Sequence, residues 1–265
     1  MVRCKVCAAE VTTDVCPYCG AKVQKTVAKE KIPILKKEPE AKKETPEDIL
    51  KKIDEAKAKL VERCRNSVVK VYCEFRKVLS TGTGFVLEGG IIVTNAHVVT
   101  KDEQEIYNLF IEYADSLDKP IEAKKSYAKV LYVSKEEDIA ILKPDRIIPT
   151  GVTPLKLHID TTKQGEAVFT IGNPLHYRFT YIEGAVANPE YKKNDSSKYS
   201  YVQTTLTLNH GNSGGPVFNM NGEVIGMSTF SELKLDMETN ENKEILGYGF
   251  CVSAKAINDA LLSLK

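Results

Sequence analysis

The sequence predicts an all-β core, on three observations. From Ser67 onward, short runs rich in β-branched and aromatic residues alternate with turn residues, among them SVVKVYCEF, GIIVTNAHVV, EAVFTIG and PVFNMNGEVIGMSTF. No helical periodicity intervenes until AKAINDALLSL near the C-terminal end, so βαβ units are excluded and a barrel or sandwich remains. The runs fall into two apolar-rich halves joined near KPDRIIPTGVTPLKL, which suits two packed antiparallel barrels with a cleft between them.

Ahead of that core, CKVCAAEVTTDVCPYCG places Cys4, Cys7, Cys16 and Cys19 in two Cys-x-x-Cys pairs. Each pair can form a knuckle whose thiolates face one ion, Pro17 stiffens the second knuckle, and Gly20 lets backbone amides reach sulfur. Four thiolates suit tetrahedral zinc, with iron as the alternative because CPYCG also resembles a rubredoxin knuckle. A segment this short has no core of its own without such a staple, so residues 1–24 are expected to be a zinc ribbon. Residues 25–46 mix Lys, Glu, Ala and Pro without apolar periodicity and read as a charged linker.

A helix is predicted over 47–64. Thr45 can cap it, Pro46 fits its first turn, and Glu47 and Asp48 lie where the helix dipole favours acid. Ile49, Ile53, Ala56 and Leu60 form one narrow stripe, suited to docking on the following domain or to a short oligomer seam. The remaining residues, 65–265, are expected to form the β-rich domain.

Bulk composition removes several function classes. At 265 residues and 42% hydrophobic, the chain can bury a sizeable core. Lys and Arg number 37 against 36 acidic residues, a balance that argues against nucleic acid and anionic membranes as partners. No run approaches the roughly 18 apolar residues of a membrane span, and MVRCKVCAAE has no signal-like apolar core. Of seven cysteines four lie in the N-terminal pairs, and Cys64, Cys73 and Cys251 are scattered. That is poor material for a disulfide framework, and a cytoplasmic location is expected.

Three residues could carry chemistry. His97, in IIVTNAHVV, ends an apolar run where the chain turns, a place to hold an imidazole over a cleft; on its own it is equally a packed histidine. Asp138, in SKEEDIAILK, opens an apolar run that can orient it, unlike Glu136 and Glu137; beside a histidine it would fix the tautomer. Ser213 lies in HGNSGGPVF. A serine hydroxyl needs a base and preorganised donors, and a glycine-dense bend can aim successive N–H groups at one point. Gly211 and Ser213 are the natural donors of such an oxyanion hole. A glycine-rich hairpin is the bland reading of the same stretch.

TNAHVV, DIAIL and GNSGGPVFNMNGEVIGM, in that order, resemble the chymotrypsin-fold serine proteases, and specifically the trypsin-like domain of the HtrA (DegP-like) family. FTIGNP, YVQTTLTLNHGNSGGP and GYGFCVSAKAINDAL are similar to internal segments of that family, so the resemblance spans roughly residues 65 to 264. It implies two antiparallel barrels with a His97, Asp138 and Ser213 triad in their cleft and an oxyanion hole at Gly211 and Ser213. It implies a serine endopeptidase acting on unfolded or misfolded polypeptides, and it raises a homotrimer. The alternative is a non-catalytic or chaperone-like scaffold recruited through its zinc ribbon.

The resemblance has limits. Val98 follows His97 where secreted digestive relatives carry a disulfide cysteine, which again points to a reducing compartment. Read as ending at residue 265, the chain would lack the PDZ domain many HtrA proteins carry. No acid lies in TTLTLN or IGMSTF, the stretches that border the specificity pocket in the family, so an aliphatic residue before the cut is expected. ANPEYKKNDSSKYS and SELKLDMETNENKEI read as long polar insertions that could order around the site on binding.

Overall fold

The structure, a computed structural model, describes residues 1–23, 45–102, 104–114, 125–175, 177–192, 198–235 and 242–264. The chain divides into two compact units, Met1–Thr45 and Pro46–Lys265. The expected linker falls almost wholly outside the described residues.

The first unit is a short hairpin between two cysteine knuckles. Strands β1 (Val2–Arg3) and β2 (Glu10–Val11) pair antiparallel, and its buried core is Cys4, Val11 and Cys16. The knuckles repeat one construction. Ala8 N–H donates to the Cys4 carbonyl and Cys4 N–H to Ala9; Gly20 N–H donates to Cys16 and Cys16 N–H to Ala21. Ala8 (φ 59°) and Gly20 (φ 76°) take the left-handed conformation at equivalent places.

The second unit opens with α1 (Pro46–Arg65), whose first turn carries Glu47 and Asp48 as the dipole favours. Its apolar stripe docks only in part. Leu60, Val61 and Cys64 join the main core, while Ile49 and Ile53 remain 46% and 55% exposed. Periodicity names a face; the extent of the surface opposite decides how much of that face is covered.

Two closed antiparallel barrels follow, as the strand runs predicted. The first comprises β3 (Val68–Phe75), β4 (Leu79–Val86), β5 (Ile92–Thr94), β6 (Ile106–Tyr113), β7 (Lys125–Ser134) and β8 (Ile139–Pro144), in the order β3-β4-β5-β8-β7-β6. The second comprises β9 (Ala167–Gly172), β10 (Thr180–Tyr191), β11 (Tyr201–Thr204), β12 (Pro216–Asn219), β13 (Val224–Leu235) and β14 (Asn242–Ser253), in the order β10-β11-β14-β13-β12-β9. A four-residue helix α2 (Ala96–Val99) follows β5, and α3 (Ala254–Leu262), capped by the Ser253 side chain, ends the fold.

The continuous apolar runs have a physical cause: strands at the barrel contact are buried on both faces. In β8, Ala140 and Leu142 fill the first barrel while Ile139 and Ile141 face the layer between barrels. β9 and β12 do the same from the other side, with Val168 and Val217 inside the second barrel and Phe169 and Phe218 in the shared layer. Phe169 and Phe218 stack with centroids 4.8 Å apart, and Ile257 of α3 closes the layer. Truncating one such residue, Ile141→Ala, removes about 2–5 kcal/mol. This layer is what makes the cleft rigid.

SELKLDMETNENKEI is a correction to the expected insertion. β13 and β14 continue as a paired ribbon through Leu233↔Glu244 to Leu235↔Asn242. Ladder hydrogen bonds belong to the backbone and do not need apolar side chains. ANPEYKKNDSSKYS likewise begins inside β10, with Tyr191 paired to Tyr201, and its middle lies outside the described residues.

Candidate active site

β5 delivers Thr94 and Asn95 to the cleft, and the single turn of α2 presents His97 with its side chain 51% exposed. Asp138 ends the turn between β7 and β8 at φ 54°, a left-handed conformation that aspartate tolerates better than most residues. Asn95 Nδ2 donates to the Asp138 carbonyl at 2.9 Å, locking turn to helix. The carboxylate then receives His97 N–H at 3.0 Å on Oδ1 and His97 Nδ1 at 2.9 Å on Oδ2. An ionised carboxylate only accepts, so Nδ1 carries the proton and Nε2 is left as the base. Asp138 is partly exposed, at 21% of its side chain. Glu137 is turned away to Lys198 Nζ.

Thr229 on β13 connects this pair to the serine. Its hydroxyl donates to Asp138 Oδ2, and its carbonyl accepts from Ser213 Oγ at 3.3 Å. Ser213 therefore rests with its hydroxyl on Thr229. The structure brings His97, Asp138 and Ser213 together around this one threonine. His158 lies elsewhere, paired with Glu223 at 3.3 Å, and His176 is outside the described residues.

The loop carrying Ser213 is held by its carbonyls. Leu175 N–H donates to His210 at 2.7 Å, the Thr83 hydroxyl to Gly211 at 2.7 Å, and Thr83 N–H to Ser213 at 2.8 Å. Asn173 in turn donates to the Thr83 hydroxyl through both its N–H and its Nδ2. Because a trans peptide points C=O and N–H in opposite directions, fixing the His210 carbonyl on Leu175 aims Gly211 N–H the other way. Among the described residues neither Gly211 N–H nor Ser213 N–H has an acceptor within the chain. The two expected oxyanion donors are free.

Gly214 explains part of the glycine density. At φ 84°, a Cβ there would lie 2.1 Å from the Thr83 carbonyl oxygen and 2.3 Å from Thr94 Oγ1. The room serves the docking of the loop on the first barrel. Thr83, Asn173, Leu175 and Thr229 are the functional residues sequence reasoning missed. Asn173 lies in FTIGNP and Thr229 in IGMSTF, but neither stretch marks its polar residue as a contact of the triad.

In the first unit the four cysteine Sγ atoms lie within 4.8 Å of one another, with Cys4 and Cys19 at 3.6 Å and Cys7 and Cys16 at 3.5 Å. Sulfurs on a tetrahedral zinc at its usual bond length sit about 3.8 Å apart, so the donor set fits such an ion. The Cys7 and Val6 amides hold the Cys4 thiol down to about 6, while the crowded neighbouring thiols push Cys7 up and Cys19 up to about 12, so a bound ion would have to displace those protons.

Two closed antiparallel barrels, a His–Asp pair on the first and a serine in a glycine-rich loop on the second define a protein of the chymotrypsin-like class. Residues 82–227 match the family model for the trypsin-like peptidase domain, and the chain belongs to this family. Serine protease HTRA3 of Homo sapiens is 33% identical over 162 residues, 57% of this chain and 33% of that protein. The probable periplasmic serine endoprotease DegP-like of Pseudomonas putida (strain W619) is 32% identical over 157 residues, 58% of this chain and 30% of that protein. The chain thus spans about a third of the length of these curated relatives. Among solved structures, the serine endoprotease from Yersinia pestis superimposes with a TM-score of 0.61 at 25% identity, covering 78% of this chain and 66% of that one. The Rv3671c protease from M. tuberculosis, in its active form, gives 0.61 at 23% identity over 77% and 83%, a likeness of fold.

Proposed function

We propose that the chain is a serine endopeptidase that cleaves unfolded or misfolded polypeptides, with Ser213 as nucleophile, His97 as base and then acid, and Asp138 as orienter. The observation that carries this reading is the Asp138–His97 pair beside a serine loop whose two N–H donors are unspent. For attack, Ser213 Oγ must turn from the Thr229 carbonyl to His97 Nε2. Attack on the scissile carbonyl passes the hydroxyl proton to Nε2, and the oxyanion meets Gly211 N–H and Ser213 N–H. Nε2 then protonates the leaving amine, and water, deprotonated by the same nitrogen, releases the acyl group from Ser213. Asp138 accepts the Nδ1–H bond throughout and stabilises the imidazolium.

The residue before the cut is aliphatic in this reading. Leu208 is 6% exposed, and a Cβ on Gly249 would sit 2.6 Å from its Cδ1, so an apolar side chain crowds the expected pocket. Cys4, Cys7, Cys16 and Cys19 would hold a structural zinc ion, with residues 1–24 serving as a ribbon that tethers or recruits. The free, buried Cys64, Cys73 and Cys251 suit a reducing, cytoplasmic compartment. The homotrimer raised by the resemblance stays part of this proposal.

A serine-directed fluorophosphonate probe and casein, applied to wild type and to Ser213→Ala, test the reading. Wild type labels and cleaves; the variant does neither, a loss of about 10⁴-fold or more in kcat. A folded wild type that neither labels nor cleaves overturns it.

A further inference from the structure

Glu112 on β6 has no exposed surface, the only fully buried carboxylate among the described residues. It belongs to no part of the triad. Its Oε1 pairs with Arg178 Nη2, and its Oε2 accepts the Tyr72 hydroxyl at 3.0 Å. Lys70 stands directly opposite in the β3–β6 register, nearly buried, with its ammonium 5.2 Å from the Tyr72 ring. Glu112 thus pairs with Arg178 on the outer face of the first barrel, with Lys70 as its register neighbour. Arg178 belongs to the second barrel, in the connection from β9 to β10 that crosses to meet it.

That connection is strained at two bulky residues. Leu175 and Phe179 adopt φ 53° and 50°, a left-handed conformation that side chains of this size rarely take unless their surroundings hold them there. Phe179 N–H donates to Asn173 Oδ1, and the Arg178 guanidinium lies 6.0 Å from the Phe179 ring. Leu175 is the residue whose N–H fixes the His210 carbonyl and so aims Gly211 N–H away from it. The buried ion pair sits at one end of the strained segment and the oxyanion peptide at the other.

We propose that Glu112 is a positioning residue for the oxyanion hole: through Arg178 it clamps the connection strained at Leu175 and Phe179 to the first barrel, so that Leu175 holds the His210–Gly211 peptide with its N–H free. The inference rests on the peptidase reading for its kinetic consequence. A carboxylate taken wholly out of water is costly unless paired, and an Arg fork is the partner that fixes direction as well as charge. Without the negative charge, Arg178 is repelled by Lys70 and the segment can relax toward ordinary backbone. The peptide then turns, and one of two oxyanion donors is lost to the transition state while ground-state contacts to substrate remain.

The test compares full-length wild type, Glu112→Gln, Arg178→Met and the double variant, each checked for an intact thermal transition. Amide hydrogen exchange at Leu175 reads the clamp directly, and kcat, KM and affinity for a peptide boronate, a transition-state analogue, read its effect. Expected in Glu112→Gln are exchange at Leu175 faster by about tenfold or more, kcat and boronate affinity lower by about tenfold or more, and KM within about twofold. The double variant is no worse than either single one, because both break the same link. Unchanged Leu175 exchange, or a raised KM at unchanged kcat, overturns the proposal. If wild type itself fails to acylate, the peptidase reading falls, while the exchange arm still decides whether Glu112 holds the segment. Should Glu112→Gln not fold, Tyr72→Phe removes only the hydroxyl on Oε2. A smaller shift in the same readouts supports the clamp, and no shift overturns it.

Discussion

The serine loop and the cysteine knuckles both bend the chain through left-handed backbone, and they hold it there by different means. The loop from Asn209 to Gly215 leans on a neighbour: Thr83, Leu175 and Thr94 meet it from β4, the β9–β10 connection and β5, all rooted in a large shared core. The knuckles have beneath them a small cluster of Cys4, Val11 and Cys16, with Ala9, Ala21 and Val23 partly buried against it. A tight bend needs outside support, and where there is no core to supply it, a metal ion can. Fold stability in the barrels therefore belongs to packing, and in the first unit, under the proposed zinc site, it would belong to four sulfurs.

Removing the metal gives the largest contrast. Structural zinc in small cysteine modules supplies on the order of 10 kcal/mol or more, which is the folding free energy of the module itself. Treating reduced, full-length protein with a strong chelator is expected to erase hydrogen-exchange protection in residues 1–23 and to leave the thermal transition of residues 46–264 in place. Metal analysis before treatment should return about one zinc per chain. Protection in residues 1–23 that survives complete metal loss would break the comparison.

The next effect comes from Gly214→Ala. The added Cβ meets the Thr83 carbonyl at 2.1 Å and the backbone is left-handed besides, so the loop must leave its dock. A cost of about 3 kcal/mol or more is expected, together with loss of fluorophosphonate labelling. Differential scanning calorimetry and the labelling rate check the two halves separately. Normal labelling in this variant would show that the loop's dock on Thr83 is dispensable.

How far the sequence reached follows the same division. The barrels were legible because strands buried on both faces, such as Ile139 to Leu142, carry unbroken apolar runs. Ser213, Gly211 and the cysteines stand out in the sequence because they are concentrated in short stretches, and the structure gathers the four cysteine sulfurs within 4.8 Å of one another. Thr229 and Thr83 do not stand out, since a threonine in a strand looks the same whether it packs or donates to a carboxylate. Glu112 left one faint mark, a lone acid inside LFIEYA, but its partner Arg178 is distant in sequence and only the fold pairs them. The half-docked α1 shows the remaining gap: a stripe predicts contact without predicting how much surface waits for it.

Thr83→Val probes the loop's support without adding bulk. Its hydroxyl donates to the Gly211 carbonyl and receives Asn173, whereas its N–H bond to Ser213 survives the change. Losing a buried hydroxyl bridge costs about 1–3 kcal/mol. If, as proposed, the bridge orients an oxyanion peptide, kcat is expected to fall about tenfold with KM nearly constant. A rise in KM alone would mean that Thr83 shapes substrate binding and leaves the peptide unaffected.

Gly20→Ala is the smallest effect and the cleanest control on Gly214→Ala. Both glycines have left-handed φ, 76° and 84°, but a Cβ at Gly20 would meet nothing within 4 Å. Only the backbone penalty remains, about 1 kcal/mol, and Ala8 shows that the equivalent position in the other knuckle already bears it at φ 59°. Zinc affinity, measured by competition with a chromogenic chelator, is expected to weaken about fivefold, with the barrel transition and labelling rate unchanged. A loss as large as that of Gly214→Ala would mean that the first unit is as tightly packed as the serine loop, and the distinction between support by core and support by metal would fail.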